Sequence, residues 1–126
     1  MQIKMQDILN FTVFYEAVKS QKLSMKTAYR IAQLAKAIEH ELEFYRTKLR
    51  EIVEEHGEKD ENGNPIPTAD GGIKICPGHE TECYTSMQEL QELEVELPDI
   101  KFTIEEFEKV ELEPDIVSAI FPFIEE

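Results

Sequence analysis

Lys19, Lys22, Lys26 and Arg30 follow one another at spacings of three, four and four, and no acidic residue stands between Glu16 and Glu39. On one continuous helix these cations would share a face and hold a phosphate or carboxylate through charge-assisted hydrogen bonds. Ser24 and Thr27 add two hydroxyls to the stretch, and Tyr29 adds an aromatic ring. The break expected at Leu23-Ser24 interrupts the common face, but it also makes Ser24 a good N-cap. Unpaired N–H groups and the positive end of a helix dipole then open at this point. Lys22, Ser24, Lys26, Thr27, Tyr29 and Arg30 are therefore the candidate residues for an anionic small molecule, a nucleotide phosphate in particular. Capping plus solvated lysines accounts for the same residues with nothing bound.

Cys76-Pro-Gly-His79-Glu-Thr-Glu-Cys83 places two thiols and an imidazole within one short segment. Zinc accepts these donors, but a structural zinc site takes four ligands in two paired spacings. No second cysteine pair exists, so Glu80, Glu82 or His56 would have to complete the set. The expectation is no metal and no cofactor. Cys76 and Cys83 read as small buried apolar residues at a hairpin end and a helix face, in a protein that folds without metal. His40-Glu41 begins like a zinc-protease helix, but Phe44 stands where the second histidine is required. Asp60, Asn62 and Asn64 imitate a calcium loop, yet Pro65 and Gly71 occupy the positions of its glycine and its closing glutamate, so the segment reads as turns, with a further tight turn at Asp70-Gly71-Gly72. No glycine-rich phosphate loop or nucleophile motif is present, and the acidic pairs (Glu54/Glu55, Glu105/Glu106, Glu125/Glu126) read as solvated faces. The reading is not an enzyme.

The net charge of −14 is unevenly spread. Residues 1–50 hold nine Lys/Arg against five Asp/Glu, and residues 51–126 hold four against twenty-two. A chain this acidic repels a phosphate backbone, so direct nucleic-acid binding is not expected. No apolar run approaches the ~20 residues of a membrane span, and no signal-peptide pattern opens the chain. Two cysteines make no disulfide framework. A single domain of 126 residues is expected, with a helical, mildly basic part over 1–57 and a strongly acidic part with a hairpin and short helices over 58–126.

The elements that must position these residues follow from periodicity. Ile3 and Met5 flank Lys4 as in a short strand, and Asp7 caps a helix with Ile8, Phe11, Phe14 and Val18 inward, running to about Ser20. Ser24 starts a second helix over 25–56, whose stripe Ile31, Leu34, Ile38, Leu42, Tyr45, Leu49, Ile52, His56 keeps the straight-helix period up to Gly57. At ~1.5 Å per residue it is ~48 Å long, more than a domain this small is wide. A homo-oligomer built along it, with Leu42, Tyr45 and Leu49 at the contact, is the economical expectation. A hairpin is expected at 65–76 and a third helix within 81–94, starting either at the Ser86/Glu89 capping box or earlier. Pro98 stops it; Val95 to Phe102 read as extended, able to pair with the hairpin or with residues 2–5. Thr103/Glu106 is a second capping box, and Pro114 opens a last segment limited by Pro122. The fold class is α+β, helix-dominated.

Lys-Leu-Ser-Met-Lys-Thr-Ala-Tyr (22–29), Glu-Lys-Asp-Glu-Asn-Gly-Asn (58–64), Val-Glu-Leu-Pro-Asp-Ile (95–100) and Phe-Pro-Phe-Ile-Glu-Glu (121–126) resemble a family of small proteins encoded by tailed phages and prophages of Gram-positive and gut bacteria. The resemblance transfers no catalytic residue. It implies a phage accessory protein acting in the cytoplasm of an infected bacterium, where such genes encode virion accessories or inhibitors of host defence. Joined to the basic segment, this gives an expected function: countering host defence by sequestering a phosphate-bearing signal between subunits. The alternatives are an acidic, nucleic-acid-mimicking inhibitor of a host protein and a virion or assembly accessory.

Overall fold

Periodicity and capping set the helices of the computed structural model, which describes residues 1–125. The order is β1 (Gln2–Lys4), α1 (Met5–Val18), α2 (Met25–His56), α3 (Glu80–Glu92), β2 (Glu94–Glu96) and α4 (Pro114–Ser118), with single 3-10 turns at Ile104–Phe107 and Phe121–Phe123. The architecture is helix-dominated α+β. α2 is unbroken over its full expected length, because neither proline nor glycine interrupts it. Two compact units form, one from Met1–Leu42 with the chain from Glu94 onward, the other from Glu43–Leu93.

The first unit is built on aromatic rings. β1 pairs antiparallel with β2 in the register Ile3↔Val95, and both of these side chains are buried. α1 starts at Met5 with Lys4 as its N-cap residue, three residues before the expected cap Asp7, which instead lies in the first turn. A carboxylate there still complements the helix dipole. α1 buries Phe11 and Phe14; Phe11 meets Phe123 at 5.4 Å, Phe14 meets Phe107 at 5.4 Å, and Phe107 meets Phe102 at 5.7 Å. The end of the chain closes over this row: Phe102 N–H donates to the Phe123 carbonyl at 2.8 Å and Glu125 N–H to the Phe102 carbonyl at 2.7 Å. α2 adds Ile31, Leu34, Ile38 and Leu42 to the same core. Leu42 is therefore covered by its own chain, and of the three residues expected at a subunit contact only Tyr45 and Leu49 keep partial exposure.

The second unit has no continuous strand. Residues 57–76 make three antiparallel bridges, Gly57↔Ile75, Lys59↔Pro65 and Pro67↔Ile73. Glu58 N–H donates to the Lys74 carbonyl, Lys74 N–H to that of Ile66, and Ile66 N–H back to that of Glu58, at 2.8, 2.8 and 3.2 Å. Three short stretches thus close on one another in a ring of main-chain bonds, where the sequence suggests only a hairpin over 65–76. Prolines on both sides leave Ile66 as the one donor of Pro65-Ile66-Pro67, and the ring uses it. Asp60 Oδ1 accepts the N–H groups of Asn62 and Asn64, so this segment is a side-chain-closed turn, as expected. α3 begins at Glu80, which resolves the ambiguity of its start in favour of the earlier position.

Candidate functional site

Of the four places in the molecule that bear on function, the basic segment comes first and the grooves lined by Lys22 and Tyr29 second. Ser24 caps α2: its Oγ accepts Thr27 N–H at 3.2 Å and donates to Thr27 Oγ1 at 3.0 Å. The Thr27 hydroxyl then donates to Glu106 Oε1 at 3.0 Å, and Arg30 donates to the same oxygen at 2.8 Å. Thr103 N–H holds the other oxygen of Glu106 at 2.7 Å. Arg30 also lies over the Phe102 ring, 4.9 Å from its centre. Burial opposes the charge on Glu106, but the Thr103 N–H, the Thr27 hydroxyl and the Arg30 guanidinium outweigh it. They hold the carboxyl below the usual glutamate range. The carboxylate that Thr27 and Arg30 bind is thus the protein's own.

The six residues singled out from sequence do not converge. Ser24, Thr27 and Arg30 serve Glu106, and Thr27 is fully buried. Lys22 lines an open groove of about 500 Å³ with Lys19, Tyr15, Ala28 and Ile31. Tyr29 lines a different groove, of about 590 Å³, with Lys36, Gln33, Pro98 and Ile100. Lys26 is exposed, and neither it nor Lys22 has an ion pair among the described residues. Residues three or four apart share a helix face, as Thr27 and Arg30 do, but residues one or two apart diverge, as Tyr29 does from both, and the break before Met25 turns Lys22 away from the rest.

The third place is apolar. Phe107, Val110 and Ile120 floor a pocket of about 210 Å³, and Ile104, Val117 and Phe121 stand around it. Ile104 is 69% exposed and Phe121 64%, large apolar side chains held out in water. The same stretch of chain exposes Glu105, Glu108, Glu111, Glu113, Asp115 and Glu125 against a single cation, Lys109. The capping box of the 3-10 turn and the proline that starts α4 present these residues. A reading directed at polar chemistry passes over this pocket; the alternation of Ile104, Phe107, Val117 and Phe121 with carboxylates was the available signal.

The fourth place lies within the second unit. His56, the last residue of α2, is 3% exposed, and its Nδ1 stands 3.2 Å from Nδ1 of His79, the residue before α3. The rings meet edge to face at 5.4 Å. Glu82, one turn into α3, brings a carboxylate oxygen to the pair, with all three donor atoms within 4.8 Å of one another. Cys76 ties the histidines by backbone: its N–H donates to the His56 carbonyl at 2.8 Å, and its carbonyl accepts His79 N–H at 3.0 Å. The two thiols are outside this donor group. Cys76 and Cys83 are half-buried rather than buried as expected, and burial pushes the Cys83 thiol above the ordinary cysteine value, toward the neutral form. Glu80 is engaged elsewhere, accepting Gly78 N–H at 3.0 Å. His56 and His79 flank the 57–76 segment in sequence and meet only because Gly57 pairs with Ile75, which is why the sequence, with His56 in the apolar stripe of α2, does not pair them.

No family model matches the chain, and neither a curated protein nor a solved structure matches it. Among the described residues no helix is long and apolar enough to cross a membrane.

Proposed function

We propose that this is a non-enzymatic binding protein that docks a basic, amphipathic segment of a partner protein on its C-terminal apolar pocket. The observation that carries the reading is the pocket's construction, an apolar floor with Ile104 and Phe121 exposed beside it in a stretch dense with carboxylates. At about 210 Å³ it is below the ~300–1,000 Å³ of small-molecule clefts, and it suits one anchoring side chain. The surrounding negative charge selects a cationic neighbour for that anchor and speeds its encounter. In the setting that the phage resemblance implies, the partner is a host protein, and occupying its basic segment inhibits it.

A second reading keeps the small anion. Lys22, unpaired and beside Lys19 and the Tyr15 ring in the open groove, favours a phosphate-bearing ligand there. It does not use Thr27 or Arg30, whose capacity Glu106 has taken.

The test is fluorescence anisotropy with a labelled peptide of alternating Lys and Phe/Leu pairs, run alongside a nucleotide titration. We expect the peptide to bind, and the charge-neutral double variant Ile104→Ala/Phe121→Ala to bind it at least about tenfold more weakly at unchanged ionic strength. Equal binding by the variant would mean charge attraction alone and would overturn the pocket reading. Nucleotide binding that is lost in Lys22→Ala would put the second reading in its place. A chain that binds neither probe and sediments as a dimer only while Phe121 is intact would make a second copy the occupant.

A further inference from the structure

We infer that His56, His79 and Glu82 form a binding site for a divalent transition-metal ion, zinc in particular, and that the ion staples the second unit. Two ligand nitrogens about 2.0–2.1 Å from a tetrahedral zinc stand about 3.4 Å apart. The His56 and His79 Nδ1 atoms are 3.2 Å apart as the chain folds, so the pair already has that spacing. A hydrogen bond between the rings accounts for the pair but not for the carboxylate of Glu82 converging on it. Two neutral imidazoles and one carboxylate are donors that zinc accepts, and a tetrahedral ion held by these three would have its fourth position left for water.

The outer groups agree with this. While the rings bond to each other, one Nδ1 carries the proton between them. For both to ligate, that proton moves to Nε2 of the same ring, with no net change in charge. Glu55 keeps a carboxylate oxygen 3.8 Å from His56 Nε2, beyond a direct hydrogen bond but near enough for its charge to favour a proton on that nitrogen.

The unit itself supplies an independent reason. Of all the buried apolar side chains, only Leu90 lies in Glu43–Leu93, and the other buried residues there are His56 and Gly57. A stretch this short with almost no apolar interior is held in known small domains by disulfides or a metal, and both cysteines here are free. An ion at the three side chains would join the end of α2 to the start of α3 across the ring of bridges. The thiols do not take part, since neither sulfur belongs to the donor group.

The experiment is zinc titration by calorimetry on tag-free, chelator-treated protein, with cobalt spectroscopy and hydrogen exchange. Wild type is expected to bind zinc at a single site. His79→Gln and Glu82→Gln, whose side chains are not buried, should each weaken it by at least about tenfold. Cys76→Ser/Cys83→Ser should bind as wild type, and cobalt should give no thiolate charge-transfer band. Adding zinc should raise amide protection within 57–76 and leave Phe11 and Phe14 as they were. No zinc binding by the wild type, full affinity in both His79→Gln and Glu82→Gln, or loss of binding in the cysteine variant would each overturn the site. The peptide test of the pocket involves none of these residues, so the two proposals fail separately.

Discussion

Among the described residues, the unit made of Met1–Leu42 and the chain from Glu94 onward holds every buried apolar side chain but Leu90; the unit Glu43–Leu93 holds Leu90 alone. One is organised by a row of phenylalanines, the other by main-chain bonds and turns: the ring through Glu58, Lys74 and Ile66, and carboxylates such as Asp70, which accepts both Gly72 N–H and the Thr68 hydroxyl. Apolar burial contributes about 25 cal/mol per Å², whereas an exchanged hydrogen bond nets only about 0.5–1.5 kcal/mol. The first unit can therefore specify its structure by itself. The second depends on geometry being right at a few atoms, which is the condition under which a bound ion stabilises most.

The largest effect should come from breaking the aromatic row. Phe102→Ala removes a fully buried ring that touches Phe107 and lies under Arg30, and should cost about 3–5 kcal/mol in denaturant unfolding. A loss under about 1 kcal/mol would show that the row is not what holds the first unit.

Next is Gly57, where the second unit is tight for a steric reason. A Cβ there would stand 2.5 Å from the Val53 carbonyl oxygen and 3.1 Å from Ile73. Because Gly57 N–H also bonds that carbonyl at 2.7 Å, the backbone cannot simply retreat. Gly57→Ala should cost about 1–3 kcal/mol, with exchange accelerated in 57–76 and unchanged in α1. Uniform acceleration over the whole chain would mean that the two units unfold as one.

The smallest of the three concerns Glu106, a half-buried charge of the first unit. Its carboxyl sits below the usual range when folded, so ionised Glu106 stabilises the fold above the ordinary glutamate value. That contribution is lost as pH falls through the lowered folded value. Glu106→Gln should cost about 1–2 kcal/mol near neutral pH, from one charge-assisted acceptor lost beside a partly exposed Arg30. The difference from wild type should vanish in acid. An acid limb of equal steepness in both proteins would show that Glu106 contributes no linkage.

Local order was legible where a rule acts within a few residues. The stripe from Ile31 to His56, Ser24 before it and Gly57 after it mark out Met25–His56 because period and capping are short-range. Thr103/Glu106 was readable for the same reason, whereas the sequence left two partners open for the strand near Val95, and the fold chose residues 2–4. The start of α1 was misplaced because Asp7 is good both as a cap and in a first turn. The bridges through Pro65 and Pro67 show no period at all.

The sequence by itself determined the helices, the turn chemistry at Asp60 and Asp70, and the separation of basic from acidic chain. Those features depend on backbone dihedrals, side-chain period and charge count, all of which are local. The tertiary structure alone decided which groups meet. Glu106 reaches Thr27 and Arg30 from 79 and 76 positions away and fills the anion role that the basic segment advertised. His79 reaches His56 from 23 positions away. Such pairs form because closing the intervening loop is favourable only once the whole unit is packed, and no local pattern records that.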